Sequence, residues 1–233
     1  MDINPRERLI LALDLPSADD AKRLMDRVGQ EIAFVKIGLE LFTAAGPGIV
    51  RWAIQQGKLV FLDLKLLDIG ETVKRATAVA AELGATLMTV HAGSKTIRAA
   101  VEGRGASPLK ILGVTVLTNF EDSDLEELAI HESMPDAVLR RARLAMAWGA
   151  DGLVAAGTQL EVIRMMLGSK PILVTPGIRS VGAFPDDQVN VATPNLAIAA
   201  GADYLVVGRS IRNAPDPAAA ARAIQGEIAA ACK

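Results

Sequence analysis

The sequence has one cysteine, two histidines and 3% aromatic residues among 233 positions. The lone thiol, Cys232 beside Lys233, can form no internal disulfide and is poorly placed for catalysis at a frayed chain end. Two isolated histidines, His91 and His131, leave no zinc ligand set. Long apolar runs are also missing. Although 51% of the residues are hydrophobic, stretches such as 9–13 and 205–207 fall far short of a membrane span, which needs about 20 residues. Nor is there an excess of one charge: the net charge is -2 and the pI about 5.8, so no field is offered to nucleic acid or an anionic membrane. An anionic ligand would have to be gripped by a few local basic groups. Residues 1–8 lack the basic and apolar regions of a secretory signal, which predicts a cytoplasmic protein.

What the chain does have is aliphatic residues in a regular order. Eight β-type runs, at 8–13, 34–37, 59–64, 86–90, 110–116, 152–155, 172–174 and 204–207, are mostly apolar throughout, as strands covered on both faces should be. Between them lie amphipathic segments such as 17–28, 72–83, 136–148 and 193–200. A weak repeat runs from helix end through Gly-Ala into a strand: ELGATLMTV at 82–90, WGADGLV at 148–154 and AGADYLVV at 200–207. Glycine is the natural left-handed helix terminator, so the repeat marks one αβ junction three times. This order predicts an α/β fold, a single-domain (β/α)8 TIM barrel over residues 1–233. The competing architecture is an open doubly wound sheet, but no G-x-G-x-x-G follows the first run. Trp52, Trp148 and the pair Met165-Met166 are expected to pack between helices and barrel.

In such a barrel the chemistry lies at the C-terminal strand ends. Polar residues there form a set: Asp14 after run one, Lys36 in run two, Asp63 and Lys65 at the end of run three, Asp68 beyond it, His91 after run four, Thr118 after run five and Gly208-Arg209 after run eight. Residues 63 and 65 are two apart, so a strand points both to one face and Leu62 and Leu64 to the other. One reading is an ion pair that closes the barrel mouth. The other is functional, because Asp14 and Lys36 add charges of alternating sign at neighbouring strand ends. A protonated lysine held between carboxylates suits stabilising and protonating a carbanion; a Schiff base needs the neutral amine. Magnesium on Asp14, Asp63 and Asp68 is conceivable, but the interleaved lysines already neutralise that charge. VTPGIRSVGAFPDDQ, 174–188, is long enough for a lid, and YLVVGRSI, 204–211, offers Gly208 and Arg209 at the usual phosphate site of the fold. His91 is more simply a hydrogen-bonded mouth residue, and His131 a solvated one following the acidic helical stretch 122–127.

With LALDLPS at 11–17, FVKIGLELF at 34–42, FLDLKLLDI at 61–69, TVHAG at 89–93, GVTVLT at 113–118, VTPGIR with DDQ at 174–188 and VVGRSI at 206–211, the chain resembles the orotidine 5′-monophosphate decarboxylases of bacterial type over nearly its whole length. D-x-K-x-x-D is shared with sugar-phosphate relatives, which resemble magnesium enzymes with glutamate where this chain has Lys36; with Lys36, PGIR…DQ and VGR the pattern is specific. The resemblance implies cofactor-free decarboxylation of orotidine 5′-phosphate to uridine 5′-phosphate, with a small nucleotide as partner and no nucleic acid or membrane. It implies that Lys65 protonates the C6 carbanion, that Asp63 lies beside the departing carboxylate, and that Asp14 and Lys36 complete the network and contact ribose. Asp68, Ile69 and Thr72 would reach the site of a second subunit in a homodimer. Thr118 would contact the pyrimidine, Gln188 would bridge base and phosphate, and Arg179, Gly208 and Arg209 would hold the phosphate or its closing loop. Where many members carry Phe-His and Pro-Asn, this chain has Leu66-Leu67 and Gly70-Glu71, with the charged positions intact. A non-catalytic phosphate-binding barrel is the remaining reading, and it has no need of such a charge cluster.

Overall fold

The structure, a computed structural model, describes residues 3–179 and 192–232. The apolar runs are eight strands: β1 (Leu9–Ala12), β2 (Phe34–Gly38), β3 (Leu59–Leu66), β4 (Leu87–His91), β5 (Lys110–Val114), β6 (Gly152–Val154), β7 (Ile172–Thr175) and β8 (Tyr204–Val207). Each pairs in parallel with the next and β8 pairs with β1, so the sheet closes in sequence order. This is the TIM barrel the order of elements predicts, not the open sheet. The helices outside it are α1 (Ala18–Val28), α2 (Leu39–Ala45), α3 (Pro47–Gln55), α4 (Gly70–Glu82), α5 (Ser94–Arg104), α6 (Asp122–Glu127), α7 (Met134–Ala147), α8 (Leu160–Leu167), α9 (Pro194–Ala199), α10 (Arg209–Arg212) and α11 (Pro217–Ala231).

Helix starts follow capping chemistry. Ser17 accepts the Asp20 N–H at 3.1 Å and Asp216 accepts that of Ala219 at 2.9 Å, fixing α1 and α11. Helix α7 begins before residue 136 because the Ser133 hydroxyl accepts the Asp136 N–H at 3.3 Å and Pro135 sits in its first turn. Helix α4 likewise starts at Gly70, ahead of residue 72.

Strand parity sorts the interior. Leu9, Leu11 and Leu13 point out to the helices, while Ile10 and Ala12 point into the barrel with Phe34, Phe61, Leu87, Leu112 and Tyr204. Phe34 and Tyr204 meet edge to face at 5.6 Å between centroids. Followed upward with a period of two, these inward columns change character: Phe34 leads to Lys36, Phe61 to Asp63 and Leu87 to Thr89. The barrel is therefore aliphatic and aromatic below and polar at its C-terminal mouth.

The threefold Gly-Ala repeat has a physical explanation. Gly84, Gly149 and Gly201 are left-handed, with φ of 86°, 100° and 103°. The residue after each Gly-Ala puts a side-chain oxygen on the neighbouring strand: Thr86 accepts the Val60 N–H at 3.3 Å, Asp151 that of Ile111 at 2.9 Å and Asp203 that of Leu173 at 2.8 Å. Both aspartates also receive an arginine, Arg104 and Arg164 respectively. Each junction thus turns the chain and ties one strand to its neighbour at the bottom of the barrel.

Trp52 and Trp148 are half-buried against the helix-side core, as expected. Met165 is not: it is 85% exposed. In α8 the buried positions are Leu160 and Ile163, with Leu167 packed against the same core, and helical periodicity turns residue 165 to the opposite face. Met166 is half-buried beside Arg143. Among the described residues no helix is long and apolar enough to cross a membrane.

Candidate active site

At the mouth lies a cleft of about 480 Å³, within the range of small-molecule sites, roughly 300–1,000 Å³. Eight of the residues singled out in the sequence line it: Asp14, Lys36, Asp63, Lys65, Thr118, Arg179, Gly208 and Arg209. Asp14 follows β1, Lys36 is the third residue of β2, and Gly208 leads from β8 into α10. Opposite the charged side stands an apolar wall from the next strands, Val114, Val154 and Val174. Such a wall offers an apolar face to a flat ring, and the arginines offer donors to an anion.

Three predicted residues stay out of this cleft. Asp68, Ile69 and Thr72 are exposed beyond β3, and the Asp68 carboxylate accepts the N–H of Ile69 at 2.6 Å. Gln188 and most of the expected lid, from residue 180 on, lie outside the described residues. The ends of that stretch meet: Ile178 bridges Ala192, and the Arg179 N–H donates to the Ala192 carbonyl at 3.0 Å.

The charges form a chain of alternating sign. Lys36 Nζ donates to Asp14 Oδ1 at 2.7 Å and stands 3.6 Å from Asp63 Oδ2, to which Lys65 Nζ donates at 2.9 Å. Lys36 and Asp63 side chains are each 11% exposed, whereas Lys65 is 30% exposed and opens to the cleft. Burial pushes the Asp63 carboxyl up, but Lys36, Lys65 and Thr89 outweigh it and hold the group below its ordinary value of 3.8. Asp63 is therefore a buried anion at neutral pH. His91, half-buried at the end of β4, lines no part of the cleft; burial, Lys65 and Arg141 hold its imidazole below its ordinary value.

Residues 63 and 65 do share a face, but not by regular pleating. From Leu62 to Leu66 strand β3 advances four residues while β4 advances two, from Met88 to Val90. Residues 63–65 thus form a bulge opposite Thr89, with Lys65 left-handed at φ 48°. That conformation costs a non-glycine residue about 1–2 kcal/mol. Bulges re-aim side chains, and this one brings the ammonium back over the barrel.

Two contributors were missed. Thr89, fully buried in β4, donates its hydroxyl to Asp63 Oδ1 at 2.8 Å and accepts the Lys65 N–H at 2.9 Å. Its one signal in the sequence was its inward parity with Leu87. Arg212 donates to the Asp14 carbonyl and lines the cleft, a contact across 198 positions that only barrel closure creates. With it, among the described residues, five cationic side chains face two carboxylates in the cleft.

Among the described residues no three of histidine, cysteine, aspartate and glutamate converge as metal ligands. The carboxylates of Asp14 and Asp63 are instead bridged by Lys36. Gly38 makes room for this bridge: a Cβ there would fall 2.9 Å from Lys36 Nζ and 3.0 Å from Asp14 Oδ1. These are mobile side-chain ends, so Gly38→Ala should keep the fold and displace the pair. We expect turnover to fall roughly 10–100-fold, as for an ångström-scale misplacement, with the melting temperature nearly unchanged; steady-state kinetics and thermal melting check it.

Residues 7–224 match the family model described as orotidine 5′-phosphate decarboxylase / HUMPS family. The chain is 50% identical over 231 residues to the orotidine 5′-phosphate decarboxylase of Rhodopseudomonas palustris, covering 99% of this chain and 98% of that one. It is 49% identical over 232 residues to that of a Methylobacterium species, with 98% of each covered. The crystal structure of orotidine 5′-phosphate decarboxylase from Lactobacillus acidophilus superposes with a TM-score of 0.85 at 36% identity, covering 95% of this chain and 99% of that one.

Proposed function

The chain belongs to the orotidine 5′-phosphate decarboxylase / HUMPS family, and on that premise we propose that it converts orotidine 5′-phosphate to uridine 5′-phosphate and CO₂ in pyrimidine biosynthesis, without metal or cofactor. The observation that carries the reading is the alternating charge chain Asp14, Lys36, Asp63, Lys65, buried at Lys36 and Asp63 and ending in an ammonium at the cleft. A sugar-phosphate lyase of the same family would need a metal-ligating carboxylate at position 36, where this chain has a lysine.

In this mechanism the bond from C6 to the carboxylate breaks heterolytically. CO₂ leaves, and the electron pair stays on C6 in the ring plane, where the ring cannot delocalise it. Lys65 supplies positive charge there and then transfers a proton to C6; its partial exposure lets solvent restore that proton. Asp63, held anionic beside Lys65, lies next to the departing carboxylate and fixes the ammonium. Asp14 and Lys36 keep the network in register and contact ribose. Thr118 meets the base, and Arg179, Arg209 and the backbone at Gly208 take the phosphate, with Gln188 bridging the two. Phosphate binding far from C6 orients the reacting end in a way a small base could not achieve.

The test is direct. The purified protein should decarboxylate orotidine 5′-phosphate at full rate in EDTA, followed by the loss of orotate-ring absorbance. No turnover, or turnover restored only by magnesium, would contradict the proposal.

The active unit in this reading is a cytoplasmic homodimer of single barrel domains spanning 1–233, each lending Asp68, Ile69 and Thr72 to the other's site. Supporting it, Leu67 and Ile69 flank Asp68 at 69% and 76% exposure, an apolar edge unusual for a solvated loop. Mixing Asp68→Ala with Lys65→Ala protein should then regenerate one intact site per mixed dimer. An equimolar, freely exchanging mixture would recover about a quarter of wild-type activity; no recovery after verified exchange contradicts site sharing.

A further inference from the structure

At the bulge in β3 one hydroxyl serves two polar groups, the part-buried Lys65 N–H and the buried Asp63 Oδ1. The direction of these bonds is fixed by elementary chemistry. A backbone N–H can only donate, so Thr89 Oγ1 must accept from Lys65, and the single hydroxyl hydrogen is left for Asp63. A closed ring results: Lys65 N–H to Thr89, Thr89 to Asp63 Oδ1, and Lys65 Nζ back to Asp63 Oδ2 at 2.9 Å. The threonine is fully buried, and it stands on β4 between Met88 and Val90, the partners of Leu62 and Leu66 on either side of the bulge.

Resting on the decarboxylase reading above, we propose that Thr89 is a positioning residue for the reaction: its hydroxyl holds Lys65 in the left-handed bulge and turns the Asp63 carboxylate so that Oδ2 faces the lysines. Thr89 does not line the cleft, so it acts through Lys65 and Asp63 and makes no contact with substrate. The ring ties an amide and an ammonium of the same residue to one carboxylate, which defines both where the Lys65 backbone sits and where its side chain ends. Without the hydroxyl, the left-handed conformation loses its anchor and Asp63 is free to rotate.

The experiment compares wild type, Thr89→Val and Thr89→Ser under the orotidine 5′-phosphate assay, with thermal melting and uridine 5′-phosphate affinity measured in parallel. Valine keeps the shape and removes the hydroxyl; serine keeps the hydroxyl and removes the methyl. The expected result is kcat reduced roughly 10–100-fold in Thr89→Val, KM and product affinity within about threefold of wild type, and kcat in Thr89→Ser restored to within about threefold. A Thr89→Val enzyme with near-normal kcat, a change confined to KM, or a serine variant as slow as the valine one would overturn the proposal. Should Thr89→Val fail to fold, Thr89→Ala and Thr89→Ser give the same contrast. Wild type inactive on orotidine 5′-phosphate would overturn the decarboxylase reading itself, and this inference with it; active wild type with an indifferent Thr89→Val overturns only the inference.

Discussion

Lys65→Ala is expected to lower kcat by at least about 10⁴-fold, the combined scale of a lost charge stabiliser and a lost general acid, while uridine 5′-phosphate still binds. The reason is where this ammonium stands. Lys65 is the terminal member of the charge chain and opens to the cleft at 30% exposure, whereas the arginines that would hold a phosphate come from the far side, Arg179 beyond β7 and Arg209 after β8. Removing it takes away the only proposed proton donor at C6 without touching the phosphate grip. The loss therefore belongs in kcat, and product affinity should change little. Alanine at position 65 tolerates the left-handed conformation no better than lysine does, so the fold should be no more stable for the substitution. Titration calorimetry with uridine 5′-phosphate and a stopped assay on orotidine 5′-phosphate separate the two effects. Near-normal turnover in the variant would remove Lys65 from the mechanism.

Asp63→Ala should damage both activity and stability. Asp63 lies between Lys36 and Lys65, and alanine there removes the carboxylate that separates two ammonium groups. Breaking a buried pair costs about 3–5 kcal/mol. The lower end applies here, because Lys65 can swing toward solvent and Lys36 keeps Asp14 at 2.7 Å. Turnover should fall with it by a factor of about 10²–10³, since Lys65 loses the carboxylate that aims it. Denaturant unfolding and kcat check the two losses separately. The same carboxylate sets part of the pH response. Its folded pKa is depressed, so its contribution to stability is complete above the unfolded value, about 3.9, and is lost as the pH falls through the lower folded value. Asp63→Asn should therefore flatten the acid-side decline in stability; an unchanged decline would mean that other carboxylates dominate it.

Much of this site was legible because strand parity is a strict rule. Lys36 follows Phe34 by two and Asp63 follows Phe61 by two, so both had to project into the barrel once the runs were recognised as strands. The Gly-Ala repeat likewise announced three junctions, and its hidden part, the side chain that ties the neighbouring strand, needed only the next residue to be read. What the sequence could not reveal depends on register. Lys65 reads as an ordinary strand residue, yet it reaches the cleft through a bulge and a left-handed backbone, because β3 outruns β4 by two residues. Thr89 is inconspicuous in TVH until that bulge leaves an N–H in front of it. Arg212 meets Asp14 only because β8 closes onto β1. Met165 was misplaced for a simpler reason: two methionines in a helix cannot both lie on the face set by Leu160 and Ile163. Asp68, Ile69 and Thr72 are exposed and line no part of the cleft, a placement that their spacing after β3 did not reveal.

The central claim is that Lys65 exchanges a proton with a carbanion at C6. The most direct measurement is hydrogen exchange at that carbon, with uridine 5′-phosphate incubated in D₂O and followed by proton NMR. Wild-type protein should replace the C6 hydrogen with deuterium and Lys65→Ala should not, although both bind the nucleotide. Undiminished exchange in the variant, or no exchange by wild type that turns over orotidine 5′-phosphate, would contradict the assignment.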